Sequence, residues 1–230
     1  MTSPNPSSSK SNSSINLVRS SHSWTQADSA AGFVLRYLSP MRRQLTVVLG
    51  SKAEADEALK ILLSHLVQAG FGDHKRGRLR DFLVRGVRSC AKARMGELSE
   101  DESRDAKLAE LTLHSKDWLR LWRECLLERS WRALERFEHA NPDAPVYSVL
   151  SRATADEHAT SDVLAVRICE ECGIEIDADM VESLLPAART MFAQLIADEV
   201  VETLEKPSKD DVKEEIKTLG MMHAFNGVAV

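Results

Sequence analysis

Apolar residues along this chain recur at intervals of three and four, and strict two-residue alternation is scarce. Phe33, Val34, Tyr37 and Leu38 form one set; Leu45, Val47 and Val48 form a second; Ala58, Leu59, Leu62, Leu63, Leu66 and Val67 form a third; Phe82, Leu83, Val87, Cys90 and Ala91 form a fourth. A period near 3.6 puts each set on one face of a helix. Breaks are predicted at Ser39-Pro40, at Gly50-Ser51 and across Gly70-Phe71-Gly72-Asp73, so three or four helices fit between Trp24 and Met95.

A second helical block follows. Leu108, Leu111, Leu119, Trp122, Leu126 and Leu134 mark one long amphipathic pattern ending at Asn141-Pro142, with Trp118 and Trp131 adding bulk. Residues 145–153 make a short element. Residues 161–195 then read as helix, turn, helix: Leu164, Ala165 and Ile168 stripe the first helix, Cys172-Gly173 closes it, and Ile174 and Ile176 pack into the turn. Val181, Leu184, Leu185, Ala188 and Phe192 line the second helix, which Pro186 is expected to interrupt. One more helix should begin near Ser208, with Asp211 three residues on as its capping partner. The expected fold is all-α, in two small helical domains joined by a linker.

Composition agrees and narrows the class. Of 230 residues, 43% are hydrophobic and 28% charged, enough for one large domain or two small ones. No apolar run approaches the roughly 20 residues of a membrane span, and no basic segment leads into an apolar one as in a secretory signal. Four cysteines in such a chain do not read as a disulfide framework. The expectation is a cytoplasmic protein with no membrane partner. Residues 1–23, with ten serines and almost nothing to bury, read as a disordered arm. Domains are expected over 24–96 and 116–205, with a polar linker over 97–115 and an acidic tail over 206–230.

Charge sharpens that division. The net charge is −5, yet residues 1–96 hold 15 Lys and Arg against 6 Asp and Glu, whereas residues 97–230 hold 15 against 29. Halves so polarised either meet different partners or attract each other. The cations concentrate between Lys75 and Arg94, where eight Lys and Arg meet a single acid, Asp81. On a helix starting near Leu79, Arg78, Arg85, Arg88 and Lys92 are expected on the outer face, a row suited to phosphate binding. A solvated face balanced by the acidic half is the alternative reading.

Other chemistry finds little support. Cys169-Glu170-Glu171-Cys172 is a lone CxxC without the second pair that zinc would require, so both sulfurs are expected in the core and no metal is assigned. The chain contains no GxxxxGK[ST], GxGxxG or GxSxG and no HExxH, so an enzyme is not expected and no cofactor is implied.

The order of these elements resembles the extracytoplasmic-function (ECF) sigma factors of bacterial RNA polymerase, from about Ser23 to Leu219. Arg36-Tyr37-Leu38-Ser39-Pro40-Met41-Arg42-Arg43-Gln44-Leu45 resembles the opening helices of sigma region two. Glu54-Ala55-Asp56-Glu57-Ala58-Leu59 resembles the acidic stretch that opens the polymerase-clamp helix, although Lys60-Ile61 stands where the family has Gln-Glu. Arg76-Gly77-Arg78-Leu79-Arg80-Asp81-Phe82-Leu83 resembles the stretch before the helix that melts and reads the −10 element. Residues 164–173 and 181–192 resemble the region-four helix-turn-helix, and residues 198–219 the acidic tail of one subgroup.

The resemblance implies a transcription-initiation subunit that binds core RNA polymerase through Asp56, Glu57 and Lys60. DNA contacts would come from Lys75, Arg76, Arg78, Arg80, Arg85, Arg88, Lys92, Arg94 and Arg189, and an anti-sigma factor would be a further partner. Asp177, Asp179 and Glu182 stand where the second helix of the helix-turn-helix would meet phosphates, which favours promoter contact at −10 over −35. A sigma-like adaptor that binds polymerase or another protein without reading promoter DNA is the alternative.

Overall fold

The computed structural model describes residues 15–17, 23–72 and 77–228. Most of the serine-rich arm, and the candidate cations Lys75 and Arg76, lie outside the described residues. The protein is all-α. The elements are α1 (Ala30–Leu35), α2 (Leu38–Leu49), α3 (Lys52–Ala69), α4 (Leu79–Met95), α5 (Glu102–Glu110), α6 (Lys116–Ala140), α7 (Val146–Ala155), α8 (Ser161–Cys172), α9 (Ala178–Glu202) and α10 (Lys209–Thr218). Among the described residues the only β pairing is an isolated antiparallel bridge between Arg78 and Leu204.

Local chemistry sets most of the boundaries. Ser29, Ser51, Asp101, Thr160 and Ser208 each accept a backbone N–H at the start of the helix that follows. Gly50 and Gly173 end α2 and α8 in the left-handed conformation, at φ 76° and 68°. At Ser208 the expected capping box is complete: its hydroxyl accepts from Asp211 N, and the Asp211 carboxylate accepts from Ser208 N at 2.8 Å.

Both prolines expected to break helices lie inside them. Pro40 is the third residue of α2, a first-turn position that needs no N–H donor, and the actual break falls at Arg36-Tyr37. Pro186 sits within an unbroken α9. The proline removes one backbone hydrogen bond, but Val181 and Ala188 on either side of it are fully buried, and packing on both flanks carries the helix through. The long pattern expected from Leu108 is two helices, since the chain turns between α5 and α6 at 111–115. Part of the stretch expected as linker is α5.

The chain divides into two compact units. Among the described residues, one holds 15–16, Leu134–Gln194 and 223–228, and the other holds Leu17–Ala133 and Leu195–Met222. The division runs through α6 and α9, so these units differ from the expected 24–96 and 116–205, and α10 of the expected tail belongs with α4.

In the larger unit, α2, α3 and α4 pack on one another and α5 packs on α2 and α4. Its core includes Met41, Leu45, Val48, Leu83 and Val87, all fully buried. Trp24 packs edge-on to Phe71 at 4.9 Å between ring centroids, and Tyr37 stacks on Trp122 at 5.0 Å. In the smaller unit α7 packs on α8. Val149, Leu164, Ala165, Ile168, Ile176 and Val181 form its core, with Ile174, Leu184 and Leu185 against it. The helix-turn-helix pattern read from the sequence is therefore present as α8, a five-residue turn and α9.

Candidate nucleic-acid interface

The cations of α4 separate into two groups. Leu79, Leu83, Val84, Val87, Cys90 and Ala91 face the core, which fixes the rotation of the helix. Arg85 and Lys92, seven positions apart, are exposed and form no ion pair with any described residue. Ser89 is exposed on the same helix.

The other cations are engaged inside the protein. Arg80, expected among the DNA contacts, is 1% exposed; its Nε donates to Glu215 Oε1 of α10 at 2.6 Å and its Nη1 to Asp81 at 2.9 Å. Burial works against its charge, yet the bond to Glu215 raises its pKa above the ordinary arginine value. Arg78 is half-buried, with Nε 3.0 Å from Glu215 Oε2 and Nη2 3.8 Å from Glu214 Oε1. Arg88 turns inward and donates to the carbonyls of Leu108 and Leu111. Arg94 donates to Glu54 at 2.5 Å and pairs with Glu97, bonds that raise its pKa. The expected outer row of four is thus reduced to Arg85 and Lys92. The reason is that neighbouring elements supply partners within the fold, the Glu215 carboxylate for Arg78 and the Leu108 and Leu111 carbonyls for Arg88.

The start of α4 is tied down by backbone as well. Leu79 N donates to Thr203 O at 2.8 Å and Glu205 N to Gly77 O at 3.1 Å, while Gly77 N donates to the Glu205 carboxylate at 2.8 Å. Trp24 Nε1 donates to Gly77 O at 3.3 Å.

An open groove of about 380 Å³ runs between α3 and α4. Ile61, Leu62, Phe82 and Cys90 give it an apolar floor, and His65, Arg85 and Ser89 line it with polar atoms. Gly86 permits the close approach of the two helices, since a Cβ there would lie 3.0 Å from Leu62 Cδ1. The groove has the size and composition to take a stacked aromatic base, with Arg85 placed for a phosphate.

The candidate polymerase-binding residues lie along α3. Asp56 accepts two bonds of 2.6 Å from Arg42, which hold its carboxyl below the usual range. Glu57 pairs with Lys60 at 2.6 Å. All three remain on the surface, engaged with near neighbours.

In the smaller unit Asp177, Asp179 and Glu182 are exposed, and Asp177 Oδ1 accepts from Met180 N at 2.8 Å, so this carboxylate caps the start of α9. Arg189 is exposed and has no ion pair with a described residue. Cys169 and Cys172, expected in the core, are both exposed: they occupy the last turn of α8, beyond Ile168, the last buried residue of its apolar stripe. Cys90 and Cys125 are buried, and burial pushes their thiols up to about 12 and about 11. No group of three or more metal-ligating side chains occurs among the described residues, and no helix there is long and apolar enough to cross a membrane.

Sequence reasoning missed the role of Glu215. The signal was present, since Val212 and Ile216 flank an acid on the apolar stripe of α10, but its partner lies 135 positions away. Comparison with protein-family models, with curated proteins and with solved structures finds no match to this chain.

Proposed function

We propose that this chain is a sigma-factor-like transcription-initiation protein that works in the cytoplasm, binds core RNA polymerase and meets promoter DNA near the −10 element. The observation that carries the reading is the surface of α4, where Arg85 lines a groove with Phe82 and Ser89 while Lys92 lies exposed two turns along the same helix, neither cation being ion-paired with a described residue. Cations spaced two turns apart beside an aromatic floor suit a single strand whose bases stack while its phosphates are neutralised. The resemblance in element order supplies the polymerase, and Asp56, Glu57 and Lys60 on α3 supply a surface for it. No catalytic role is assigned.

A second reading is favoured by a different observation. Arg78, Arg80, Arg88 and Arg94 are held within the fold, and carboxylates occupy the first turn of α9. With those four candidate DNA contacts engaged inside the protein, the chain suits an adaptor that holds polymerase without opening promoters.

Co-purification with core polymerase, followed by run-off transcription from a candidate promoter, tests both. Transcripts that depend on the protein support the first reading. Polymerase binding without transcripts supports the second. No polymerase binding defeats both.

A further inference from the structure

Cys169 and Cys172 lie one turn apart at the end of α8, and both are exposed. Helical geometry puts Cα atoms three residues apart at about 5 Å, inside the roughly 4.4–6.8 Å range of disulfides. Arg152 Nη2 donates to Cys172 Sγ at 3.7 Å, while its Nε sits 2.7 Å from Glu171 without hydrogen-bond alignment. Cys169 Sγ donates to Ile176 O across the turn at 3.6 Å. Two accessible thiols thus share the terminal turn of a helix, where few hydrogen bonds resist rearrangement.

We propose that Cys169 and Cys172 are a thiol–disulfide site that reacts with low-molecular-weight disulfides and closes an intramolecular bond at the α8–α9 turn. The thiolate of one cysteine attacks a sulfur of the small disulfide; that S–S bond breaks, and the first small thiolate leaves and takes up a proton. The thiolate of the second cysteine attacks the protein sulfur of the mixed disulfide and expels the second small thiol. The pair gives up two electrons and two protons, and the small disulfide is reduced to two thiols. This inference does not depend on the function proposed above.

Closing the bond acts on identifiable contacts. Drawing the two sulfurs together takes Cys169 Sγ from the Ile176 carbonyl and strains the Gly173 N–H bond to Cys169 O, 3.1 Å long, that caps α8. Ile174 and Ile176 follow within four residues and pack on the core of the smaller unit. Oxidation therefore loosens the turn of the helix-turn-helix. Buried Cys90 and Cys125 serve as internal controls.

The test equilibrates the full-length protein with defined ratios of oxidised and reduced glutathione, then alkylates and measures mass and amide hydrogen exchange. The expected result is joint loss of alkylation at Cys169 and Cys172, loss of two hydrogens in mass, no dependence on protein concentration, and exchange at Gly173 faster by about tenfold or more. Cys172→Ser should trap glutathione on Cys169. A stable glutathione adduct on the wild-type protein, disulfide-linked dimers, or a pair that stays reduced in excess oxidised glutathione overturns the proposal.

Discussion

Arg80 and Glu215, 135 positions apart, form a two-point contact: Nε to Oε1 at 2.6 Å and Nη2 to Oε2 at 3.1 Å, with each side chain only 1% exposed. It joins the basic helix α4 to the acidic helix α10. Removing Glu215 leaves Arg80 only its bonds to Asp81 and the Leu113 carbonyl, a loss at the lower end of the about 3–5 kcal/mol for breaking a buried pair. Glu215→Ala is therefore expected to lower unfolding stability by about that amount in urea titration. Arg80→Met combined with Glu215→Leu should recover most of the loss. A single variant as stable as the wild type would show that the contact is dispensable.

Arg85→Gln with Lys92→Gln should weaken binding to single-stranded promoter DNA and flatten its salt dependence by about 0.7 per phosphate contact removed. Thermal stability should stay within about 0.5 kcal/mol, because neither exposed side chain has an ion pair with a described residue to lose. Arg88→Gln should act the other way round. It removes the bonds to Leu108 and Leu111 and costs stability while leaving the salt slope near wild type. Binding isotherms at several salt concentrations, with melting curves for the same proteins, separate the two groups.

The Tyr37 hydroxyl is buried without a hydrogen-bond partner among the described residues, while its ring stacks on Trp122. Burial is the main reason its pKa stands far above the ordinary tyrosine value. An unsatisfied buried hydroxyl costs about 1–3 kcal/mol, so Tyr37→Phe should stabilise the protein by about 1 kcal/mol. The ring stack and the Arg129 guanidinium 5.1 Å from its centroid should both survive. An unfolding midpoint lower than wild type would mean that the hydroxyl is bonded in solution.

The Asp211 carboxyl is held below its reference value of 3.8, first by its bond with the Ser208 side chain and then by the Ser208 backbone N–H. A carboxyl depressed in the folded state contributes stability that is fully present above its unfolded pKa. That contribution disappears as pH falls through the lower folded value. Asp211 should therefore titrate below 3.8 in a carboxyl NMR titration, with fraying at the start of α10 following the same curve. Ser208→Ala should return the titration towards the reference value.

The helices and the caps were legible in the sequence, because both rest on interactions within a turn. Ser208 with Asp211, and Gly173 at the end of α8, could be placed from spacing alone. The apolar stripes also gave the helix-turn-helix core, from Leu164 to Val181. Exposure of the candidate site was not legible. Helical spacing puts Arg78, Arg85, Arg88 and Lys92 on one face, but whether a face meets water or another element depends on residues far along the chain. Glu215 and the carbonyls of Leu108 and Leu111 claimed two of the four. Pro186 misled for a related reason: a local breaker yields when flanking residues are as buried as Val181 and Ala188.

The bonds between Gly77–Leu79 and Thr203–Glu205 have a consequence for how the protein is made. As the chain leaves the ribosome, α4 is complete about one hundred residues before Thr203–Glu205 and Glu215, which complete its surroundings. At about 5–20 residues per second, the young helix waits several seconds or more with Arg80 lacking Glu215, its partner across the fold. The larger unit is thus expected to close late, and nascent chains stopped near residue 100 should be sensitive to protease while released full-length chains resist it.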